Sequence, residues 1–384
     1  MRHAASPHPV PLYGLSKAEM TDYVISLGQP AFRAQQLWGW LYQRLAATID
    51  EMSNLPKSFR AVLTEQTTLG EMREVAEIHS TDGQSQKWLL QLPDGERIEA
   101  VLMEYDVRNT ACISVQVGCA YACAFCATGR MGLVRNLTAG EIVAQIVHVE
   151  RALRRAGPIE GDHALTNIVF MGMGEPLSNY NEVLKAVRIL NDEAGLKIGA
   201  RRMTLSTVGL VPAIRRLADE PIRVNLAVSL HSPLDAVRSE IVPINRQYPI
   251  APLMAAIDDY IARTGRRVTF EYAMINEVND TEAQAHALGR LLRGKLAHIN
   301  MIPLNPVPGS PWPASDPTRI DQFAAILQRY GVAATVRVRR GIDVAAGCGQ
   351  LHAAVERRGR SIVPLDAYPS KASVEAVLAQ QREG

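Results

Sequence analysis

From Thr138 to Arg339 the chain alternates short apolar strands with amphipathic helices, and that rhythm limits its fold more than any other feature. The strands read Asn167 to Met171, Arg202 to Thr207, Val224 to His231, Val268 to Ile275 and His298 to Leu304, with Ala334 to Arg339 closing the series. Helices are expected between them: Thr138 to about Ala156, opened by the capping box Thr138-Ala139-Gly140-Glu141, then Asn181 to Glu193 and Val211 to Ala218. A long polar loop leads to Ala251 to Arg263, followed by Thr281 to Leu292 and Asp316 to Tyr330. Strand–helix–strand repeats build βαβ units and a parallel sheet. With the apolar strand Ile113 to Val117 at the front, the series makes about six β/α units, an α/β protein with a barrel or partial barrel. A chain of 384 residues has material for one such domain and small appendages, with a mostly aliphatic core, because apolar residues make up 47% and aromatics 5%.

The segments around the barrel have a different texture. Ser16-Lys17-Ala18-Glu19 is a capping box, and a second helix from Ala31 to Ala46 carries Leu37, Trp38, Leu41, Tyr42 and Leu45 at helical spacing. Trp38 and Trp40 cannot both face one core, so at least one indole should be exposed or covered by the main domain. Gln86 to Leu92, the turn Pro93-Asp94-Gly95 and Arg97 to Glu104 form a β-hairpin. Glu99, in its second strand, reads locally as a solvated strand residue. The expected organisation is a helical accessory domain over residues 1–75, a β-hairpin extension over 76–110, the barrel over 111–345 and a C-terminal segment over 346–384.

The chemistry concentrates in Cys112 to Gly132, CISVQVGCAYACAFCATGRMG, which holds four of the five cysteines. Cys119, Cys123 and Cys126 are spaced C-x3-C-x2-C on a loop after Ile113 to Val117. Such a thiolate trio holds a soft metal centre. Structural zinc takes four ligands, and the nearest histidines are His148, on a helix, and His163. An iron–sulfur cluster with one iron left open fits the spacing better, with zinc as the competitor. Active sites of parallel β/α barrels gather at the C-terminal strand ends. Those ends are the cysteine loop, Gly172 to Pro176, Ser206-Thr207, Ser229 with His231, Glu271-Tyr272 and Asn305. No apolar run approaches the roughly 20 residues that span a bilayer, and MRHAASPHPV lacks the apolar region of a secretory signal. The cytosol is therefore the expected compartment, where cysteines serve metal or redox chemistry. Net charge is only +2, but arginines cluster at Arg201-Arg202, Arg215-Arg216, Arg266-Arg267, Arg337 with Arg339 and Arg340, and Arg357-Arg358 with Arg360. Each pair alone reads as a solvated face; together they could meet phosphate.

C-x3-C-x2-C with Phe125 inside it resembles the signature of the radical S-adenosylmethionine enzymes, and Gly172-Met173-Gly174-Glu175-Pro176 resembles their glycine-rich strand end. From about Leu15 to Ala379 the chain is similar to the dual-specificity RNA adenine-C2 methyltransferases, the RlmN family. The segments that carry the likeness are Phe32-Arg33-Ala34-Gln35-Gln36 with Trp38, Gln116-Val117-Gly118-Cys119, Met171 to Pro176, Leu226 to Pro233, Asn300 to Pro306 and Gly347-Cys348-Gly349-Gln350-Leu351. The last is the most specific.

The resemblance implies a 4Fe-4S cluster on Cys119, Cys123 and Cys126 and two S-adenosylmethionine molecules per turnover. One would methylate Cys348 by polar displacement. The other, bound to the cluster, would give the 5′-deoxyadenosyl radical that takes hydrogen from that methyl group, and the carbon radical would add to adenine C2. Cys112 would then attack the Cys348 sulfur, release the methylated base and leave a Cys112–Cys348 disulfide, with Glu99 as the proton acceptor. Gly174, Glu175, Ser206, Ser229, Leu230 (through its backbone), His231 and Asn305 match positions that contact S-adenosylmethionine. The implied partners are 23S rRNA at the peptidyl transferase centre, tRNA at the adenosine after the anticodon, and an electron donor such as flavodoxin; a monomer is expected. Two alternatives share these residues: a C8-specific rRNA methyltransferase, and a non-catalytic iron–sulfur or zinc RNA-binding protein.

Overall fold

The computed structural model describes residues 9–157, 164–305, 307, 310–338 and 340–351. His163, Pro306, Arg339, Arg357, Arg358, Arg360 and most of the expected C-terminal segment lie outside them.

Ten strands form one sheet. The first four are β1 (Arg73–His79), β2 (Ser85–Gln91), β3 (Arg97–Tyr105) and β4 (Arg108–Cys112). They make an antiparallel meander. After β4 the sheet turns parallel through β5 (Asn167–Phe170), β6 (Met203–Thr207), β7 (Asn225–Ser229), β8 (Val268–Met274), β9 (Ala297–Pro303) and β10 (Ala333–Val336). The spatial order follows the chain order, and β1 and β10 are the two edges. The sheet is a barrel left open by strand pairing. Residues 340–346 span the gap: Arg340 reaches the Glu104 carbonyl, Thr81 N–H donates to Asp343 at 2.7 Å, and the Lys87 ammonium to the Ala345 carbonyl at 3.3 Å.

Two expectations are corrected. The first parallel strand ends at Cys112, and Ile113 to Val117 is not its continuation. Gln116–Gly118 turns away to pair with Leu133–Asn136, so the cysteine loop hangs from its own small ribbon. The polar stretch after His231 contains a helix, Asp235–Ile241, whose Arg238 is buried. The other helices follow the periodicity within a few residues, and the capping boxes at Ser16 and Thr138 are both formed. The hairpin is present as β2 and β3, and β1 is an additional strand beside it.

The N-terminal helices Lys17–Ser26, Phe32–Tyr42 and Lys57–Gln66 lie against the outside of the barrel. Trp38 is buried, with its indole nitrogen where a side chain on Gly195 would stand; Trp40 is partly exposed, its indole donating to Asn54 at 2.6 Å and stacking under Arg44. This answers the indole question: one ring packs on the main domain and its neighbour meets solvent. Gly14 and Gly140 meet backbone to backbone, since a Cβ on Gly140 would come within 3.0 Å of Gly14. Lys17–Asp192 and Lys185–Glu19 pair at the rim of this interface.

Candidate active site

A cavity of about 150 Å³ opens at the C-terminal ends of the parallel strands. The cysteine loop contributes Cys119, Cys123, Phe125 and Cys126, and the turn after β5 contributes Gly172, Gly174 and Glu175. Strand ends supply Ser206, Ser229, His231, Glu271 and Asn305, and Cys348 and Gly349 close the far wall. Strand alternation explains the selection. Ser229 pairs with Glu271 and Glu271 with Asn300, so one row of polar side chains faces the barrel interior, and Asn300 donates to Glu271 at 2.7 Å. Tyr272, one residue on, faces the other way and gives its hydroxyl to the Asn279 carbonyl.

The glycines of the 172–176 turn have a specific reason. A Cβ on Gly172 would stand 2.6 Å from the Ile113 carbonyl, and one on Gly174, at φ +99°, 2.5 Å from Gln116. The close approach they permit is to the chain's own 113–116 segment, which locks this turn to the cysteine ribbon. The Glu175 carboxylate accepts from Leu177 N–H at 3.0 Å and Val208 N–H at 2.9 Å. Burial pushes its pKa up to about 7, against those hydrogen bonds.

His231 sits at φ +56° with Nδ1 accepting from Ala273 N–H at 2.9 Å. The ring proton is therefore on Nε2, and burial pulls the imidazole down to about 3, so it stays a neutral donor. Leu230 is fully buried; its N–H bonds the Glu271 carbonyl and its own carbonyl takes a bond from Arg238. What it contributes is the placing of Ser229 and His231 on either side. Arg238 is a residue that sequence reasoning missed. Its guanidinium reaches the carbonyls of Val208, Ser229 and Leu230 and the Asn245 amide oxygen at 2.7–3.1 Å, tying the ends of β6 and β7 together beneath Cys123.

Cys348 lines this cavity and also a second, smaller pocket of about 40 Å³, shared with Cys112, Met103, Tyr105 and Arg337. Both cysteines are free thiols. Burial, reinforced by Cys348, pushes the Cys112 thiol up to about 12, while Arg337 pulls it back. The loop that carries Cys348 is tied to the cysteine loop: Ala127 N–H donates to the Gly349 carbonyl at 2.7 Å and the Thr128 hydroxyl to that of Leu351. Asn305 donates to the Cys348 carbonyl at 3.2 Å, but its buried Oδ1 has no partner.

Glu99 corrects the reading of a solvated residue. It is buried on the interior face of β3, with an oxygen 3.1 Å from the Lys87 ammonium. No local pattern marks Lys87 or Arg238. The hairpin register, once drawn from the turn, would have set Lys87 diagonally beside Glu99.

The thiol trio fits a cluster. Cys119, Cys123 and Cys126 line one cavity, close enough together that Cys126 and Cys119 both raise the Cys123 thiol. Burial pushes Cys119 up to about 12 and raises Cys123 and Cys126 as well, so a strongly cationic centre is what would hold them as thiolates. The orphaned Asn305 Oδ1 and the fixed His231 Nε2–H face the same cavity as ready partners for a polar ligand.

An open β/α barrel with three thiols and a glycine turn at its mouth defines a radical S-adenosylmethionine protein, and residues 113–288 match that superfamily. Residues 10–69 match the ribosomal RNA large subunit methyltransferase N-terminal domain. The chain is 48% identical over 364 residues to a probable dual-specificity RNA methyltransferase RlmN of Chloroflexus aurantiacus, covering 92% of this chain and 94% of that one. It is 49% identical over 356 residues to a dual-specificity RNA methyltransferase RlmN of Myxococcus xanthus, covering 93% and 98%. A radical S-adenosylmethionine methyltransferase from Sphaerobacter thermophilus superimposes with a TM-score of 0.87 at 52% identity, over 90% of this chain and all of that one. The chain belongs to the RlmN family of dual-specificity RNA methyltransferases.

Proposed function

We propose that the protein methylates C2 of an adenosine in 23S rRNA at the peptidyl transferase centre, and of the adenosine after the anticodon in tRNA. The observation that carries this reading is Cys348, whose position opens on both the thiol-trio cavity and the Cys112 pocket. Cys119, Cys123 and Cys126 would hold a 4Fe-4S cluster that, with S-adenosylmethionine on its open iron, supplies the hydrogen-abstracting radical that a carbon as un-nucleophilic as adenine C2 requires.

The chain's own residues do the rest. Asn305, His231, Ser206 and Ser229 orient the bound nucleoside, the 172–176 turn with Gly174 and Glu175 receives its amino acid end, and Leu230 holds its two neighbours in place. Cys348 accepts a methyl group on sulfur and becomes joined through that carbon to C2. As the ring regains aromaticity the adduct radical gives up one electron, which the cluster would accept, and Glu99 takes the proton that C2 loses. The Cys112 thiolate then attacks the Cys348 sulfur. A sulfur–sulfur bond forms, the sulfur–carbon bond breaks with its electron pair moving to the methylene carbon, and that carbon takes a proton to become the methyl group. A thiol reductant reopens the disulfide. Because burial keeps Cys112 protonated, the Arg337 guanidinium in the same pocket is the charge that favours its thiolate.

RNA is the partner that follows from this family. Exposed Phe32 under Arg33, and Trp40 under Arg44, present aromatic–arginine pairs suited to unstacked bases. A flavodoxin-type electron donor, a monomeric enzyme and a cytoplasmic location complete the proposal; no helix among the described residues is long and apolar enough to cross a membrane. The test is nucleoside analysis of ribosomal and transfer RNA, treated separately with cluster-loaded enzyme. The expected product is 2-methyladenosine; 8-methyladenosine would overturn the regiochemistry, and zinc in place of iron would overturn the chemistry.

A further inference from the structure

We propose that Lys87 is a positioning residue for the resolution step, holding the Glu99 carboxylate and the Cys348 loop in one frame; this rests on the reading of Glu99 as proton acceptor. Three observations carry it. The first is register. Lys87 stands opposite Val101 on β3, and Val101 opposite Cys112 on β4, so one transverse row of the sheet carries Lys87, Val101 and Cys112. Side chains in one row share a face, and Glu99, two residues before Val101, lies on that same face. Met103 and Tyr105, further along β3 with the same alternation, line the Cys112–Cys348 pocket, which identifies this face as the barrel interior.

The second observation is the pair itself. The Lys87 ammonium lies 3.1 Å from the Glu99 carboxylate, and their side chains are only 8% and 6% exposed. An ion pair so withdrawn from water depends on geometry, because each charge removed from solvent must be met by its partner and by further hydrogen bonds. The third observation is the ammonium's other bond. It donates at 3.3 Å to the carbonyl of Ala345, three residues before Cys348. Lys87 thus spans the open seam of the barrel, with the carboxylate on one side and the backbone of the methyl-accepting loop on the other. Neighbouring bonds, Thr81 to Asp343 and Arg340 to the Glu104 carbonyl, hold the same seam. Only Lys87 among these bonds touches a residue of the proposed chemistry.

A group that must take a proton at one moment of the cycle has to be aimed before that moment, and a misplacement of about 1 Å can cost around a hundredfold in rate. Lys87 does that aiming. It neither touches the base nor moves a proton itself. Removing it should therefore leave the steps before resolution intact and slow the resolution.

The experiment follows the covalent protein–RNA adduct on denaturing gels and the methyl occupancy of Cys348 by mass spectrometry, using cluster-loaded full-length enzyme. Lys87→Met should keep Cys348 methylated as in the unsubstituted protein, accumulate the adduct, and lower product release about tenfold to a hundredfold. Lys87→Arg, which restores a cation able to reach both partners, should recover most of the release. Glu99→Gln is measured beside them. If Glu99→Gln resolves the adduct at the unsubstituted rate, the reading of Glu99 fails. If Glu99→Gln accumulates the adduct and Lys87→Met does not, the proposal fails alone. Lys87→Met takes a cation away from a buried carboxylate and can lower folding yield, so the double variant Lys87→Met with Glu99→Gln, which neutralises that carboxylate as well, is the second measurement. A residue that acts through Glu99 predicts the same residual rate for the double variant as for Glu99→Gln. A further loss in the double variant would overturn the proposal.

Discussion

At the scale of single residues, the two cysteines outside the trio differ in what they touch, and the difference sets their expected phenotypes. Cys348 opens on the thiol-trio cavity, whereas Cys112 is confined to the smaller pocket behind it. Cys348→Ala should abolish RNA methylation while iron content stays that of the unsubstituted protein, since the sulfur is no part of the trio. Cys112→Ala should retain methyl transfer to Cys348 and trap the RNA on the protein, seen as an adduct that survives denaturation. Normal turnover by Cys112→Ala would remove it from the resolving role. The trio, the glycine turn and the polar strand ends were legible in the sequence because spacing and strand alternation are local properties. Lys87, Arg238 and the burial of Glu99 were not. Each depends on which segments become neighbours, and a charged residue in a strand reads as solvated until a partner is known. His231 shows both limits: its position at a strand end was visible, but its left-handed backbone was not, and its fixed tautomer is set by Ala273 N–H on the next strand.

At the scale of elements, the cysteine ribbon and the glycine turn behave as one body. Gly174 combines φ +99° with a Cβ position 2.5 Å from the Gln116 side chain, so Gly174→Ala must both strain the backbone and push the ribbon away. A cost of about 2–4 kcal/mol is expected from overpacking and the left-handed conformation together. Thermal unfolding would read it as a lowered Tm, with iron retention falling alongside; an unchanged Tm would mean that the ribbon moves freely and is not a cradle. The sequence showed the helices well, because caps and the helical period are written into short windows: Ser16 and Thr138 open theirs as expected. It misplaced the first parallel strand, for a physical reason. Ile113, Val115 and Val117 are apolar and alternate, but after Cys112 the backbone bonds go to the 169–173 segment and then to the ribbon, a choice that tertiary pairing makes.

At the scale of the molecule, the barrel is held shut by backbone and side-chain bonds rather than by a closing strand pair, and the cysteine loop is pinned by backbone hydrogen bonds. Cys119 N–H bonds the Gly132 carbonyl at 3.0 Å and Ala124 N–H that of Ile241 at 3.0 Å. These bonds, and the sheet behind them, do not run through the thiols, whereas small zinc domains fold only on metal. Stripping iron with a chelator should leave the far-ultraviolet circular dichroism unchanged and the melt cooperative; loss of helical signal on iron removal would contradict this. The knitting of residues 340–351 onto the meander and the cysteine loop also has a consequence for how the protein is made. Synthesis runs from the N-terminus, and among the described residues every barrel strand precedes Gly341 in the chain. A nascent chain can complete its sheet, its thiol trio and its glycine turn while Cys348 is still inside the ribosome. Such a chain lacks the sulfur that the proposed route methylates and the wall between the two pockets. On that proposal competence arrives only with residues 340–351, and a product truncated before them is expected to be inert toward RNA.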